Sequence, residues 1–188
     1  MNTIETLVQN AVAQQALGNI AGACDLFAQI LARDPMHAVA LYSLAAISLN
    51  LGDAKSALSY AERSNLANPA SALTWFIRGS ALRLAGRTSE ALTFLERSCA
   101  LDPTHADAQL MLGVVYAESQ QLRQALAAFD RVLALEPGHA AARSNREAIA
   151  GMVQPQLQSE AEMTQRALGL QTNGKVKEAE KLFKQVLE

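Results

Sequence analysis

The spacing of the prolines constrains this chain more than any other feature. Four of the five prolines are separated by 34 residues each, and they are Pro35, Pro69, Pro103 and Pro137. Alanines keep the same period, at Ala23, Ala57, Ala91 and Ala125. A period of this length is typical of a repeated two-helix unit whose copies stack on one another. The sequence therefore predicts an array of such units.

Glycines and prolines mark the helix boundaries inside each unit. Gly18, Gly52 and Gly86 follow apolar runs with helical spacing, where a glycine with positive φ ends a helix at little cost. Each repeat proline ends the second helix, because the residue before a proline disfavours α geometry. Gln120 stands where the fourth unit should have its glycine, so we expect that turn to be more strained or differently capped. Every unit then consists of helix, turn, helix and proline.

Composition and charge agree with a packed helical protein. Apolar residues make up 50% of the chain and aromatic residues 5%, a balance that favours close-packed helices over β-sheet. The net charge of −2 gives no positive surface for nucleic acid or anionic lipid, so neither partner is expected. Cys24 and Cys99 are interpreted as buried structural thiols. With no signal peptide or run of eighteen apolar residues, we expect a cytoplasmic protein without membrane insertion.

Two units carry a recognisable motif. The third has Trp75, Gly79, Ala91 and Pro103, and the fourth has Leu112, Gly113, Tyr116, Ala125, Phe129 and Pro137. In these residues the chain resembles the tetratricopeptide repeat proteins. The resemblance implies an all-α fold, a right-handed α-solenoid of helix-turn-helix repeats. Within residues 1–139 it gives four units, at residues 4–37, 38–71, 72–105 and 106–139.

The pattern changes after Pro137. Residues 140–153 predict one capping or broken-repeat helix, and residues 154–159, with Pro155, predict a linker. Residues 160–188 resume the motif as a further partial helix pair with Gly174 at its turn. Since a closing proline would fall at position 191, beyond the last residue, we expect a fragment of a longer protein.

The candidates for chemistry favour a structural interpretation. His37, His105 and His139 each lie two residues after a repeat proline. Equivalent positions in stacked helices are about 10 Å apart, whereas zinc needs nitrogens at about 2.0–2.1 Å from one centre. We therefore interpret these histidines as helix-start residues. No nucleophile comes with a base and no glycine-rich phosphate loop occurs, so we predict no enzyme activity, metal or cofactor.

The resemblance places the first helix of each unit on the concave wall of the solenoid. The residues expected to line a partner-binding groove there are Val8, Val12, Tyr42, Leu49, Phe76, Arg83, Leu110, Met111 and Val114. This wall is apolar, with Arg83 as a charged anchor. The same side chains are either a ligand groove or packing between neighbouring first helices, and the sequence leaves both interpretations open.

Three functions are compatible with these features. The leading hypothesis is a non-catalytic scaffold that binds a partner peptide or amphipathic helix in the concave groove. The second, implied by the resemblance, is an N-terminal docking or regulatory module of a longer enzyme such as a glycosyltransferase or sulfotransferase. The third is a self-assembling adaptor that forms homo-oligomers through an exposed terminal repeat.

Overall fold

The described part of the chain consists of α-helices. The structure is a computed structural model that describes residues 3–187, including every side chain there except those of residues 155–157 and 187. Residues 1, 2 and 188, which belong to the predicted ranges 1–139 and 160–188, lie outside the described residues. Within residues 3–187 there are ten helices and no strand, which confirms the prediction of an all-α fold. The helices are α1 (Ile4–Ala16), α2 (Ile20–Arg33), α3 (Ala38–Asn50), α4 (Ala54–Ala67), α5 (Ala72–Leu84), α6 (Thr88–Leu101), α7 (Ala106–Glu118), α8 (Leu122–Leu135), α9 (Ala140–Thr172) and α10 (Val176–Leu187).

The helices stack in sequential order. Each odd-numbered helix from α1 to α7 packs against the even-numbered helix that follows it, and each even-numbered helix from α2 to α8 packs against the next odd-numbered one. The odd-numbered helices from α3 to α9 also contact one another in sequence. They form one layer, and the even-numbered helices form the other, as in an α-solenoid whose core extends from unit to unit. This arrangement places the first helices side by side.

Left-handed residues close the turns within the units. Gly18, Gly52 and Gly86 have φ values of 78°, 73° and 74°. Gln120 occupies the equivalent place in the fourth unit with a φ of 60°, and no other non-glycine residue of the described chain has a positive φ. Because a Cβ atom makes this region unfavourable, the strain predicted at Gln120 is confirmed.

Small residues allow the two helices of a unit to approach closely. The repeated alanines of the second helices are fully buried. A Cβ atom on Gly79 would lie 2.7 Å from Cγ of Leu95, and one on Gly113 would lie 2.6 Å from Cε1 of Phe129. In both units, therefore, a large side chain of the second helix occupies the space beside a glycine of the first.

Each repeat proline presents a carbonyl that accepts a side-chain hydrogen bond. The Arg63 guanidinium donates to the carbonyl of Pro35 at 2.6 Å. In the next three units the donors are 34 residues apart: Trp75 Nε1 at 2.6 Å, the Gln109 amide at 3.5 Å and the Arg143 guanidinium at 2.7 Å. These bonds pair carbonyls in the turns between units, where no helix supplies a partner.

The predicted linker is wrong, because α9 continues through residues 154–159 as one helix of 33 residues. A proline inside a helix removes one backbone hydrogen bond and costs about 3 kcal/mol or more, but packing on both sides stabilises the helix here. The first part of α9 buries Ile149 and Val153 against α8, and the last part packs on α10. Arg123 of α8 also forms an ion pair with Glu160. The helix that was predicted to begin at residue 160 is therefore the continuation of α9.

Candidate binding groove

Three first helices together form a cavity that contains five of the predicted groove residues. It has a volume of about 350 Å³ and is lined by α3, α5 and α7. The predicted residues in it are Tyr42, Leu49, Phe76, Arg83 and Met111, and the others are Ala46, Asn50, Ile77, Ser80 and Leu84. We call this cavity the central groove. The five residues meet because the 34-residue period puts equivalent first-helix positions next to one another.

The apolar side chains of the central groove also contact the core. Tyr42 and Leu49 are partly buried against a cluster that includes Ala45 and Ile77. Phe76 is partly buried against the cluster around Leu82 and Leu95. The Phe76 ring also meets the His105 ring edge-on, with centroids 5.0 Å apart and planes at 82°. These rings therefore line the cavity while also packing between units.

The other predicted groove residues lie outside the central groove. Val8 is partly buried against the core formed by α1, α2 and α3, and Val12 is 47% exposed on α1. Leu110 and Val114 are partly buried against the core formed by α8 and α9. Val114 also lines a smaller cavity of about 180 Å³ formed by α7, α8 and α9.

The charge at the end of the central groove is already balanced. Arg83 Nε donates to both carboxylate oxygens of Glu118 at 3.1 Å, and one terminal nitrogen lies 2.6 Å from Oε1. Arg83, which is expected to be a charged anchor for a partner, thus forms an ion pair within the chain, and its role toward a partner stays a prediction. The two residues are 35 positions apart, one period plus one, so they face each other across neighbouring first helices.

Tyr42 brings a neutral polar group into the groove. Burial raises the pKa of its phenol, and the negative charge of Asp107 raises it further. Both effects disfavour the phenolate. The phenol is therefore protonated at neutral pH and has a hydrogen to donate.

The histidines lie where helices begin. Nδ1 of His37 accepts a hydrogen bond from the backbone N–H of Ala40 at 3.3 Å, and Nδ1 of His139 accepts one from Ala142 at 3.2 Å. His105 occupies the equivalent position before α7 without such a bond. Within residues 3–187, no group of three or more His, Cys, Asp or Glu side chains is placed to hold a metal ion.

The two thiols differ in burial. Cys99 is 8% exposed, and burial raises the pKa of its thiol to about 11. Cys24 is partly exposed. Burial, together with the neighbouring Asp25 charge, raises its pKa as well. Both thiols are therefore protonated and weakly nucleophilic at neutral pH.

Comparison with known protein families identifies the repeat. Two sequence models of the tetratricopeptide repeat match the chain, one over residues 82–149 and the other over residues 8–65 and 49–106. Together they span most of the chain, in agreement with the stacked helix pairs and the repeat glycines and prolines. The chain belongs to the tetratricopeptide repeat family. No curated protein matches it at a significant level.

Solved structures support the same fold. The chain is similar to the crystal structure of MamA protein, with a TM-score of 0.68 and 22% identity over 98% of this chain and 90% of that one. YrrB, described as a tetratricopeptide protein with an unusual peptide-binding site, gives a TM-score of 0.68 at 18% identity over 98% and 85% of the two chains. A thermophilic tetratricopeptide protein of Thermus thermophilus gives 0.66 at 23% identity over 98% and 99%. The predicted α-solenoid is thereby confirmed.

A membrane-spanning helix is not found in residues 3–187, since none of the helices there combines the required length with the required apolar character.

Proposed function

We propose that this chain is a protein-interaction scaffold that binds an apolar segment of a partner, presented as an amphipathic helix, in the central groove. The tetratricopeptide fold supports interaction with proteins in general. The observation that carries the finer proposal is the cavity of about 350 Å³ across α3, α5 and α7, lined by partly buried Tyr42, Phe76 and Met111. Partly buried aromatic side chains in a concave site are typical anchors of an interface.

The apolar surface extends beyond the cavity along the same helix faces. Val39 precedes Tyr42 by three residues on α3, and Leu73 precedes Phe76 by three on α5, so each pair shares a helix face. Val39 and Leu73 are both 45% exposed. An amphipathic helix presents side chains at i, i+3, i+4 and i+7, a spacing that suits a row of apolar positions crossing several helices.

The proposal is tested by selecting amphipathic helical peptides that bind the chain and measuring their affinity for variants. Tyr42→Ala and Phe76→Ala are expected to weaken binding by roughly 1–3 kcal/mol, as truncated interface anchors do. Leu66→Ala is the matched control, because Leu66 is 70% exposed on α4, outside the groove. That variant is expected to bind like the unaltered chain.

Stability must be measured on the same variants. If the two rings serve only as packing between units, their removal costs about 3–5 kcal/mol of folding free energy, as for buried aromatic residues. A sharp fall in melting temperature, with unchanged affinity in the folded fraction, would contradict the groove. Arg83→Glu adds a second check, because it replaces the ion pair with Glu118 by two like charges at the groove's end. The exposed pair contributes about 0–1 kcal/mol to stability.

A second candidate is self-association through the C-terminal helix pair. In the described chain α10 packs on α9, and Leu168 and Val176 of this pair are 51% and 50% exposed. Solenoid ends with exposed apolar faces tend to stack. Sedimentation over a range of concentrations tests this candidate, and Leu168→Lys should abolish any dimer. That the chain is a docking module of a longer enzyme stays a prediction, which the coding sequence downstream of residue 188 tests.

A further inference from the structure

A second, larger cavity lies between the second helices of the third and fourth units. It has a volume of about 570 Å³, and its lining comes from α6, α7, α8 and the turn after α6. The lining residues are Glu96, Cys99, Ala100, Pro103, Gln109, Leu112, Tyr116, Arg131, Ala134 and Leu135. We call it the α6–α8 cleft. Its volume falls in the range of small-ligand sites.

The same place one unit earlier is filled by an indole. Gln109 of the cleft corresponds to Trp75, 34 residues before it. The Trp75 ring stacks on Phe94 with centroids 5.5 Å apart, and the Arg97 guanidinium lies 5.9 Å from the ring centroid. Nε1 of Trp75 donates to the carbonyl of Pro69. Unit three thus contains its own example of an aromatic ring held at this position.

The fourth unit keeps part of that arrangement and lacks the rings. The residues that correspond to Phe94 and Arg97 are Ala128 and Arg131. The aromatic ring on the second helix is therefore replaced by a methyl group, while the guanidinium that covers the ring is retained. Gln109, which lines the cleft, and Ala128 are both smaller than the rings at the equivalent positions of the third unit, so the fourth unit has less side-chain volume here.

Gln109, one of the residues that line the cleft, also has a buried polar atom without a partner. Gln109 is 2% exposed, and its amide N–H donates to the carbonyl of Pro103 at 3.5 Å. Its Oε1 is buried and has no hydrogen-bond partner among the described residues. A buried acceptor left unpaired costs about 1–3 kcal/mol, so a bound donor would remove that cost. Tyr116 does not supply that donor, because its hydroxyl is hydrogen-bonded to Glu96 at 2.7 Å.

We propose that the α6–α8 cleft binds a tryptophan side chain of a partner polypeptide. The indole lies on the apolar surface of Leu112 with Arg131 over its face, and its N–H donates to Oε1 of Gln109. Arg131 gives the ring a cation–π contact of the kind that Arg97 gives Trp75. The occupant comes from another protein, because the single tryptophan of this chain is already packed in the third unit.

The edges of the cleft favour a polypeptide over a free amino acid. Ala100 and Ala134 border it from α6 and α8, and both are exposed. Such small side chains leave space for a partner's backbone to approach. Leu135 is 40% exposed at the same edge, which offers an apolar contact to residues beside the tryptophan.

The test titrates the full chain with N-acetyl-L-tryptophanamide by isothermal calorimetry, with N-acetyl-L-leucinamide as the matched apolar ligand. We expect saturable binding of the tryptophan derivative and at least fivefold weaker binding of the leucine derivative. Arg131→Ala should weaken binding about two- to fivefold, the fold-change of an exposed cation–π contact. Gln109→Trp should abolish binding, because it supplies the ring that fills this place in the third unit.

Two further variants locate the ligand. Gln109→Leu keeps the cleft open but removes the acceptor, so binding should weaken while the fold is kept even if Gln109→Trp fails to fold. Leu66→Ala, on the exposed surface of α4 outside the cleft, should bind the tryptophan derivative unchanged. The proposal is overturned by absence of saturation with the unaltered chain, by unchanged binding to both Gln109 variants, or by loss of binding in Leu66→Ala alone. Tighter binding of free L-tryptophan than of the amide would overturn the assignment to a polypeptide.

Discussion

Exchanging Gln120 and the equivalent glycine of the third unit tests how the turns control stability. Gln120→Gly should stabilise the chain and Gly86→Gln should destabilise it, since both positions are left-handed, with φ of 60° and 74°. A left-handed residue that carries a Cβ costs roughly 1–2 kcal/mol. Replacing that residue by glycine removes this strain, but about 0.4–1 kcal/mol of the gain is offset because glycine is more flexible in the unfolded chain. The net change is about 1 kcal/mol or slightly less in each direction.

The surroundings of both positions let the exchange report on backbone conformation alone. A Cβ atom on Gly86 would meet nothing within 4 Å, and Gln120 is exposed. Neither variant therefore gains or loses packing, and only the contribution of the backbone conformation to the free energy of unfolding changes. Urea denaturation followed by circular dichroism measures it, and a change of about 1 kcal/mol corresponds to a shift of about 2–4 °C in melting temperature.

Repeat arrays can unfold in parts, so hydrogen exchange in α7 and α8 gives a local second measurement for Gln120→Gly. A lower stability of Gln120→Gly, or an unchanged stability of Gly86→Gln, would refute the reasoning from backbone conformation.

Three other outcomes are expected. Gly113→Ala should lower the free energy of unfolding by about 1–3 kcal/mol through overpacking, because its Cβ would lie 2.6 Å from the Phe129 ring. Gly151→Ala, which has open space around it, should lose no stability, and urea denaturation compares the two variants. Burial and a hydrogen bond to Glu96 raise the pKa of Tyr116 to about 12, so its contribution to stability is present below pH 10 and is lost as the pH rises to 12. In urea titrations, Tyr116→Phe should reduce this loss of stability with rising pH. Amide hydrogen exchange should show α10 less protected than α3 to α8, because α10 packs on a single helix, α9. Equal protection would mean that α10 docks firmly on another surface.

The repeat architecture could be predicted because it depends on residue types with strong local preferences. A glycine such as Gly86 ends a helix through its own backbone freedom, and a proline such as Pro103 affects the residue next to it. These effects need no knowledge of distant contacts. The course of α9 depends on such contacts, since its packing on α8 and α10 outweighs the local preference of Pro155 to break a helix. Sequence periodicity alone could not weigh the packing of α9 against the helix-breaking preference of Pro155.

The two cavities show the same limit. The resemblance to the repeat family predicted nine groove residues, of which five line the central groove, but the pairing of Arg83 with Glu118 follows from the contact between neighbouring helices. For the α6–α8 cleft a signal existed, because Gln109 occupies the position of Trp75 in the repeat. Its consequence depends on what faces that residue from the second helix, and only the structure shows this neighbour.

A methyl NMR titration tests the central claim most directly. The chain has five methionines, of which Met111 lines the central groove and Met36 is 46% exposed in the turn after Pro35. With 13C-labelled methionine methyl groups, a bound amphipathic helix should shift the Met111 signal saturably and leave Met36 unchanged. Tyr42→Ala should weaken that shift in parallel with the affinity. Binding that saturates while the Met111 signal stays in place would contradict the assignment of the central groove as the interaction site.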